Sequence, residues 1–229
     1  MAKKEIKVIS LGGSIIIPKT GFDTGFLKKL KALIVRRVKK GDRFILIIGG
    51  GATCRQYQKA ARAIVSASDY DLDNLGIAAT HFNAHFVRLL FGNLAYNDVV
   101  VNPTKKIKTS RPIIVAGGWK PGCSTDKDAV LLAKTYGAGE MINASNINYI
   151  YTADPNKDPH AKPILKMTWP EMKKLIGDKW RPGANLPFDP SAAKEARKLK
   201  MKVYFVRGTN LIELEKAIEG KRINGTIVE

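Results

Sequence analysis

The sequence predicts an α/β protein built on an open, mostly parallel β-sheet with helices on both faces. Runs such as "IKVISL" (6–11) and "RFILII" (43–48) are short, mostly apolar and end in glycines, which suits buried parallel strands meeting their loops. Segments with apolar residues at helical spacing alternate with such runs along the chain, the arrangement that connects parallel strands. Three runs end in glycine clusters, "SLGGS" (10–14), "IIGGGA" (47–52) and "VAGGWKPG" (115–122). Turns of that kind stand at the carboxyl ends of strands, the edge where such sheets bind ligands.

After the first strand, Phe26, Leu27, Leu30, Leu33, Ile34 and Val38 recur at helical spacing, and Gly41 marks a stop before "RFILII". Helices are predicted near 52–65 and 76–91, then strands at "DVVV" (98–101) and "PIIVAGG" (112–118). A helix follows over about 126–136, its buried face made of Ala129, Leu132, Ala133 and Tyr136, and then the strand "EMINAS" (140–145). The loop-rich stretch 152–168 reads as a lid or a junction between lobes. Beyond it come helices near 169–176 and 190–199, the strand "KVYFV" (202–206), a helix over 210–219 and a last strand "GTIVE" (225–229).

With 229 residues, 45% of them hydrophobic, the chain can bury a core without disulfides or a structural metal. Its two cysteines, Cys54 and Cys123, form no Cys-x-x-Cys pair and read as free thiols. The opening "MAKKEIKVISLGGS" has an apolar run broken by Lys7, so it reads as a strand and not a signal peptide, and no apolar span is of membrane length. A cytoplasmic protein without membrane association is expected. Lys and Arg number 39 against 20 Asp and Glu, a formal charge of +19 that attracts phosphates and nucleic acids alike. The cations are scattered over helix faces and no nucleic-acid reading motif is present, so a nucleic-acid partner is possible but not favoured. Only "PTKKIKTSR" (103–111) concentrates charge in a predicted loop.

Glycine loops let backbone N–H groups approach an anion, and the helix that follows adds its partial positive end. Three such loops after three strands point to a polyphosphate ligand. Neither G-x-x-x-x-G-K-[ST] nor G-x-G-x-x-G occurs, which argues against P-loop and dinucleotide-binding enzymes. The protein-kinase signatures are absent too. Asp126 and Asp189 both stand at predicted helix starts, where capping competes with a catalytic role. His81 and His85 share a helix face at i, i+4, but without the Glu of H-E-x-x-H or a third ligand no metal site is predicted.

Taken together, "GGGATCRQY" (49–57), "PGCSTDKDA" (121–129), "YTADPNKDPHAKPI" (151–164) and "FDPSAAKEA" (188–196) resemble the UMP kinases of the amino acid kinase superfamily, in the archaeal pattern. The resemblance runs in order from about residue 6 to the C-terminal "GTIVE". It implies a single three-layer α/β/α domain over 1–229, with a UMP-binding half up to about residue 138 and an ATP-binding half over 139–229. It implies transfer of the ATP γ-phosphoryl group to UMP with Mg2+, and a homo-oligomer, commonly a hexamer. By the same resemblance Asp126, Arg55, Gly13 and Ser14 are the catalytic candidates. Gly12, Gly13, Ser14, Gly51 and Arg55 would lie along the ATP phosphates, and Ser145, Tyr151 and Asp154 around its nucleoside. Gly50, Asp73, Trp119, Lys120, Pro121, Gly122, Cys123, Ser124 and Thr125 would hold UMP.

Phosphoryl transfer mostly requires two polyphosphates held in line with their charge neutralised, so Asp126 would orient groups at the reacting phosphates instead of acting as a strong base. The chain departs from the family pattern in four places: Ser10 stands where bacterial members carry lysine, His81 where archaeal members tend to have arginine, Asn148 replaces an acid and Tyr149 a glycine. A ring at 149 is expected to narrow or reshape the donor pocket. Rival readings are another small-molecule kinase of the superfamily, and a weakly catalytic nucleotide- or nucleic-acid-binding protein suggested by the charge and by Asn148.

Overall fold

The structure is a computed structural model that describes residues 6–155, 157–178 and 186–229. In chain order the first half comprises β1 (Ile6–Leu11), α1 (Gly13–Ile16), α2 (Thr24–Lys39), β2 (Arg43–Ile48), α3 (Gly51–Ile64), α4 (Asp69–Phe91), β3 (Ala95–Val100), β4 (Ile113–Ala116) and α5 (Thr125–Tyr136). The second half continues with β5 (Glu140–Ser145), β6 (Ile150–Tyr151), β7 (Pro163–Ile164), β8 (Lys166–Met167), α6 (Trp169–Ile176), α7 (Pro190–Lys198), β9 (Lys202–Arg207), α8 (Leu211–Ile218) and β10 (Thr226–Val228).

Eight strands form one sheet in the order β3-β4-β2-β1-β5-β9-β10-β8. All neighbours are parallel except β10, which runs antiparallel to β9. Alternate residues of each strand feed opposite cores, as the period of two requires. Ile9, Leu11, Phe44, Leu46 and Ile142 pack with α2, α4 and α8 on one face. Val8, Ile45, Ile47, Met141 and Phe205 pack with α5, α6 and α7 on the other. The result is the predicted three-layer α/β/α sandwich. Helix α3 packs on the outside of α4 and is largely exposed: in fourteen residues it buries only Gly51 and Ala52.

Strand order turns around at β1, which pairs with β2 on one side and β5 on the other. Connections leaving the sheet at such a point diverge and open a crevice at the carboxyl ends of the strands. Helix α4 begins at Asp69, earlier than the expected 76. The Ser68 hydroxyl accepts from the Asp71 N–H while the Asp71 carboxylate accepts from the Ser68 N–H. This capping box supports a first turn whose polar residues conceal the apolar period. The stretch 152–168 is pinned at its start and end by the β6–β7 pairing and by β8 against β10. No described helix is long and apolar enough to cross a membrane.

Candidate active site

A cavity of about 480 Å³ opens at the carboxyl ends of β1, β2, β4 and β5, within the size range of small-molecule sites. Its floor is the meeting of two glycine loops. Gly13 and Gly51 approach so closely that a side chain on Gly13 would enter the backbone of Gly51 and lie 2.5 Å from the Gly49 oxygen. Gly51 also holds φ at +64°, a conformation other residues adopt at a cost. From α4, the buried Asn83 amide donates to the carbonyls of Gly49 (2.9 Å) and Gly50 (3.0 Å), fixing the loop from behind.

One end of the cavity suits anions. Gly50, at the N-cap of α3, supplies no side-chain hydrogen bond, and the first turn carries no acid. The Ala52 N–H donates to the Ile17 carbonyl (3.2 Å), and the other N–H groups of the first turn and the positive end of that helix are available to a phosphate. Arg55, exposed one turn further on, lines the same space.

The other end is acidic. Asp126 occupies the second residue of α5, but the cap is Ser124, whose hydroxyl accepts from the Lys127 N–H. The Asp126 carboxylate is thus free to turn inward, where it accepts from Ser10 Oγ (3.2 Å) and Asn143 Nδ2 (2.8 Å). Burial pushes its pKa up to about 7, and the nearby Asp189 carboxylate adds to the rise; bonds from Ser10, the Asp189 backbone and Asn143 oppose it. Asp189 does cap α7, its Oδ1 accepting from Ser191 and Ala192 N–H groups. Its Oδ2 is buried at the cavity without a protein partner, so capping uses only half of this carboxylate.

The turn over 118–123 forms one wall. The Gly118 N–H donates to Thr80 Oγ1 (2.7 Å), the Gly118 oxygen meets His81 Nε2 (2.6 Å), and the Gly122 N–H donates to Asp73 Oδ2 (2.8 Å). Beneath the turn, Asp128 is fully buried and accepts from the Trp119 N–H (3.0 Å) and the Cys123 thiol (3.2 Å). Burial raises Asp128 to about 6 against those hydrogen bonds. Burial, then the Asp128 charge, raises the Cys123 thiol to about 12.

Of the residues predicted from sequence, Gly12, Gly13, Gly50, Gly51, Arg55, Asp73, Cys123, Ser124, Thr125, Asp126 and Ser145 come together around this cavity. Ser14, Trp119, Lys120, Pro121, Gly122, Tyr151 and Asp154 are not among its lining residues. Ser14 lies within α1. Lys120 Nζ sits 4.1 Å above the Trp119 ring, and Tyr149 meets Tyr151 edge-on at 6.3 Å, so the ring at 149 packs against a neighbouring tyrosine. The Asp154 carbonyl accepts from the Lys157 and Asp158 N–H groups in the following turn. Sequence reasoning missed Thr80, Asn83, Asp128 and Asn143. The first two interrupt an apolar helical stripe that includes Leu72, Ala79, Ala84, Val87 and Phe91, and a polar interruption of that kind is a usable signal.

The amino acid kinase family model matches residues 5–207, and the chain belongs to that family. Within it the similarity is to uridylate kinases. The uridylate kinase of Methanospirillum hungatei is 34% identical over 96% of this chain and 93% of its own length. That of Methanocaldococcus jannaschii is 33% identical over 97% and 98%. Among solved structures, the uridylate kinase of Archaeoglobus fulgidus superposes with a TM-score of 0.83 at 30% identity, covering 98% of this chain and all of that one.

Proposed function

We propose that the chain transfers the γ-phosphoryl group of ATP to UMP, forming UDP. The observation that carries the reading is one cavity lined both by a helix N-terminus without a side-chain cap and Arg55 and by Asp126 and Asp189. Full-length similarity to uridylate kinases supports the choice of acceptor.

On this reading the α3 N-terminus, the β1 and β2 glycine loops and Arg55 hold the phosphates that meet in the cavity, Gly12, Gly13, Ser14 and Gly51 on the ATP side and Gly50 on the UMP side. Asp73 and the 119–125 segment hold UMP, while Ser145, Tyr151 and Asp154 take the ATP nucleoside. The halves would meet near residue 138. Asp126, oriented by Ser10 and Asn143, positions the reacting groups, and fixed N–H groups meet the charge that develops on the transferred phosphoryl.

Magnesium fits the donor set. The site offers two oxygen-bearing carboxylates, one with an unpartnered buried oxygen, and magnesium in such sites is held by one or two carboxylates plus substrate phosphates. Asp126 and Asp189 would hold it, and when bound it neutralises phosphate charge. A homo-oligomer, a hexamer in the family pattern, is supported by the apolar side chains that α3 and α4 expose, Tyr57, Ile64, Phe82 and Leu89. Incubation with Mg-ATP and a panel of UMP, CMP, AMP and GMP tests the reading. UMP is expected to be the preferred acceptor, and phosphorylation of UMP no faster than of the others sinks it.

A further inference from the structure

We propose that Asp128 is a positioning residue for the acceptor: its carboxylate ties together the two ends of the 118–123 turn, and so sets the wall against which the acceptor binds. The proposal rests on the reading that this side of the cavity takes the acceptor nucleotide.

The turn follows β4, which ends at Ala116, and returns to the helix cap at Ser124. Its near end is held by Asp128 Oδ2, which accepts from the Trp119 N–H, and its far end by Asp128 Oδ1, which accepts from the Cys123 thiol. The two oxygens of one carboxylate thus span the loop from inside. On the outer side α4 holds the same turn through Thr80 and His81 at Gly118 and through Asp73 at Gly122. Gly118 and Cys123 line the cavity while Asp128 does not, so Asp128 acts on a ligand only through the turn.

Stability alone is a poor reason for this residue. Asp128 is 0% exposed, follows directly on Lys127 and precedes the apolar Ala129 and Val130, and it makes no ion pair with a described residue. A carboxylate buried without a cation and satisfied by two neutral donors is costly to fold. What it supplies that an apolar side chain cannot is acceptance at two points on one face. An amide has a single acceptor oxygen and would set its N–H₂ group against one of the two donors. Cys123 has the matching property: a buried thiol facing a carboxylate is a donor, which alanine in its place would not be.

Steady-state kinetics of Asp128→Asn and of Cys123→Ala and Cys123→Ser, with UMP and ATP varied separately, test the proposal beside hydrogen exchange of peptides covering 117–124. Asp128→Asn is expected to raise the acceptor KM roughly tenfold, as loss of a hydrogen bond to a charged group does, with the ATP KM within about twofold. Exchange at 117–124 should quicken while that of 129–136 holds. Cys123→Ala is expected to raise the acceptor KM by about threefold, and Cys123→Ser, which keeps a donor, to lie nearer to wild type than Cys123→Ala. If Asp128→Asn does not fold, exchange at 117–124 in Cys123→Ala against Cys123→Ser carries the comparison, because Cys123 itself lines the cavity and its KM alone would not separate contact from positioning. Equal rises in both KM values, or an unaltered acceptor KM with unaltered exchange, overturn the proposal. A wild-type protein that ignores UMP overturns the assigned acceptor alone. Exchange at 117–124, and the KM split measured with whichever acceptor the panel selects, then decide the role of Asp128.

Discussion

Asp126 stands where an aspartate ordinarily caps a helix, and its neighbours decide that it does something else. Ser124 performs the capping, and Ser10 and Asn143 draw the carboxylate inward to a second carboxylate, Asp189. Asp126→Asn is expected to lower kcat by about 10²–10³-fold, the scale of losing one preorganised electrostatic group. An Asp126→Asn enzyme with wild-type kcat would remove Asp126 from the mechanism. The same burial has a pH signature in metal-free protein. Asp126 near 7 and Asp128 near 6 both lie above the ordinary 3.8. Between those limits the native state binds more protons than the unfolded chain, so stability falls as pH rises through that window. Glu213 and Glu219 lie below their ordinary value, and their contribution is lost only at lower pH. Melting in EDTA is therefore expected at higher temperature near pH 5 than near pH 8, with the difference reduced in Asp126→Asn; a melting temperature that climbs steadily with pH contradicts this.

At the level of elements, glycine-ended strands were legible because short, mostly apolar runs and their stops are local signals. That "SLGGS" and "IIGGGA" interlock was not: the two loops lie far apart in sequence and meet only because β1 pairs with β2. Gly13→Ala is expected to destabilise by more than the roughly 1 kcal/mol that helix propensity would allow in the favourable direction, since its Cβ enters the Gly51 backbone. A thermal melt of Gly13→Ala unchanged or raised relative to wild type would show that the loops yield. The early start of α4 was hidden because Asp69, Asp71 and Asp73 sit in its first turns, where cap chemistry replaces the apolar period. The rim residues Trp119 and Lys120 had no local signal for their mutual contact, which depends on how the turn is folded.

For the whole molecule, a formal charge of +19 accompanies a cavity of which one end suits anions. Long-range attraction of this kind is screened over about 8 Å at physiological salt, so nucleotide KM values are expected to rise several-fold between low and high ionic strength. Insensitivity of KM to salt would mean that the surface charge plays no part in capture. The sequence by itself determined the layered α/β class, the glycine loops, the family resemblance and eleven of the residues around the cavity. Periodicity, strand ends and ordered motifs are all properties of contiguous chain. Only the tertiary structure decided that Asp126 meets Asp189 and that one Asp128 carboxylate gathers both ends of a turn. It alone decided, too, that Asn83 braces a loop more than thirty residues away. These depend on which strands pair and which helices cross them, and a hydrogen bond between distant residues leaves no trace in the spacing of either.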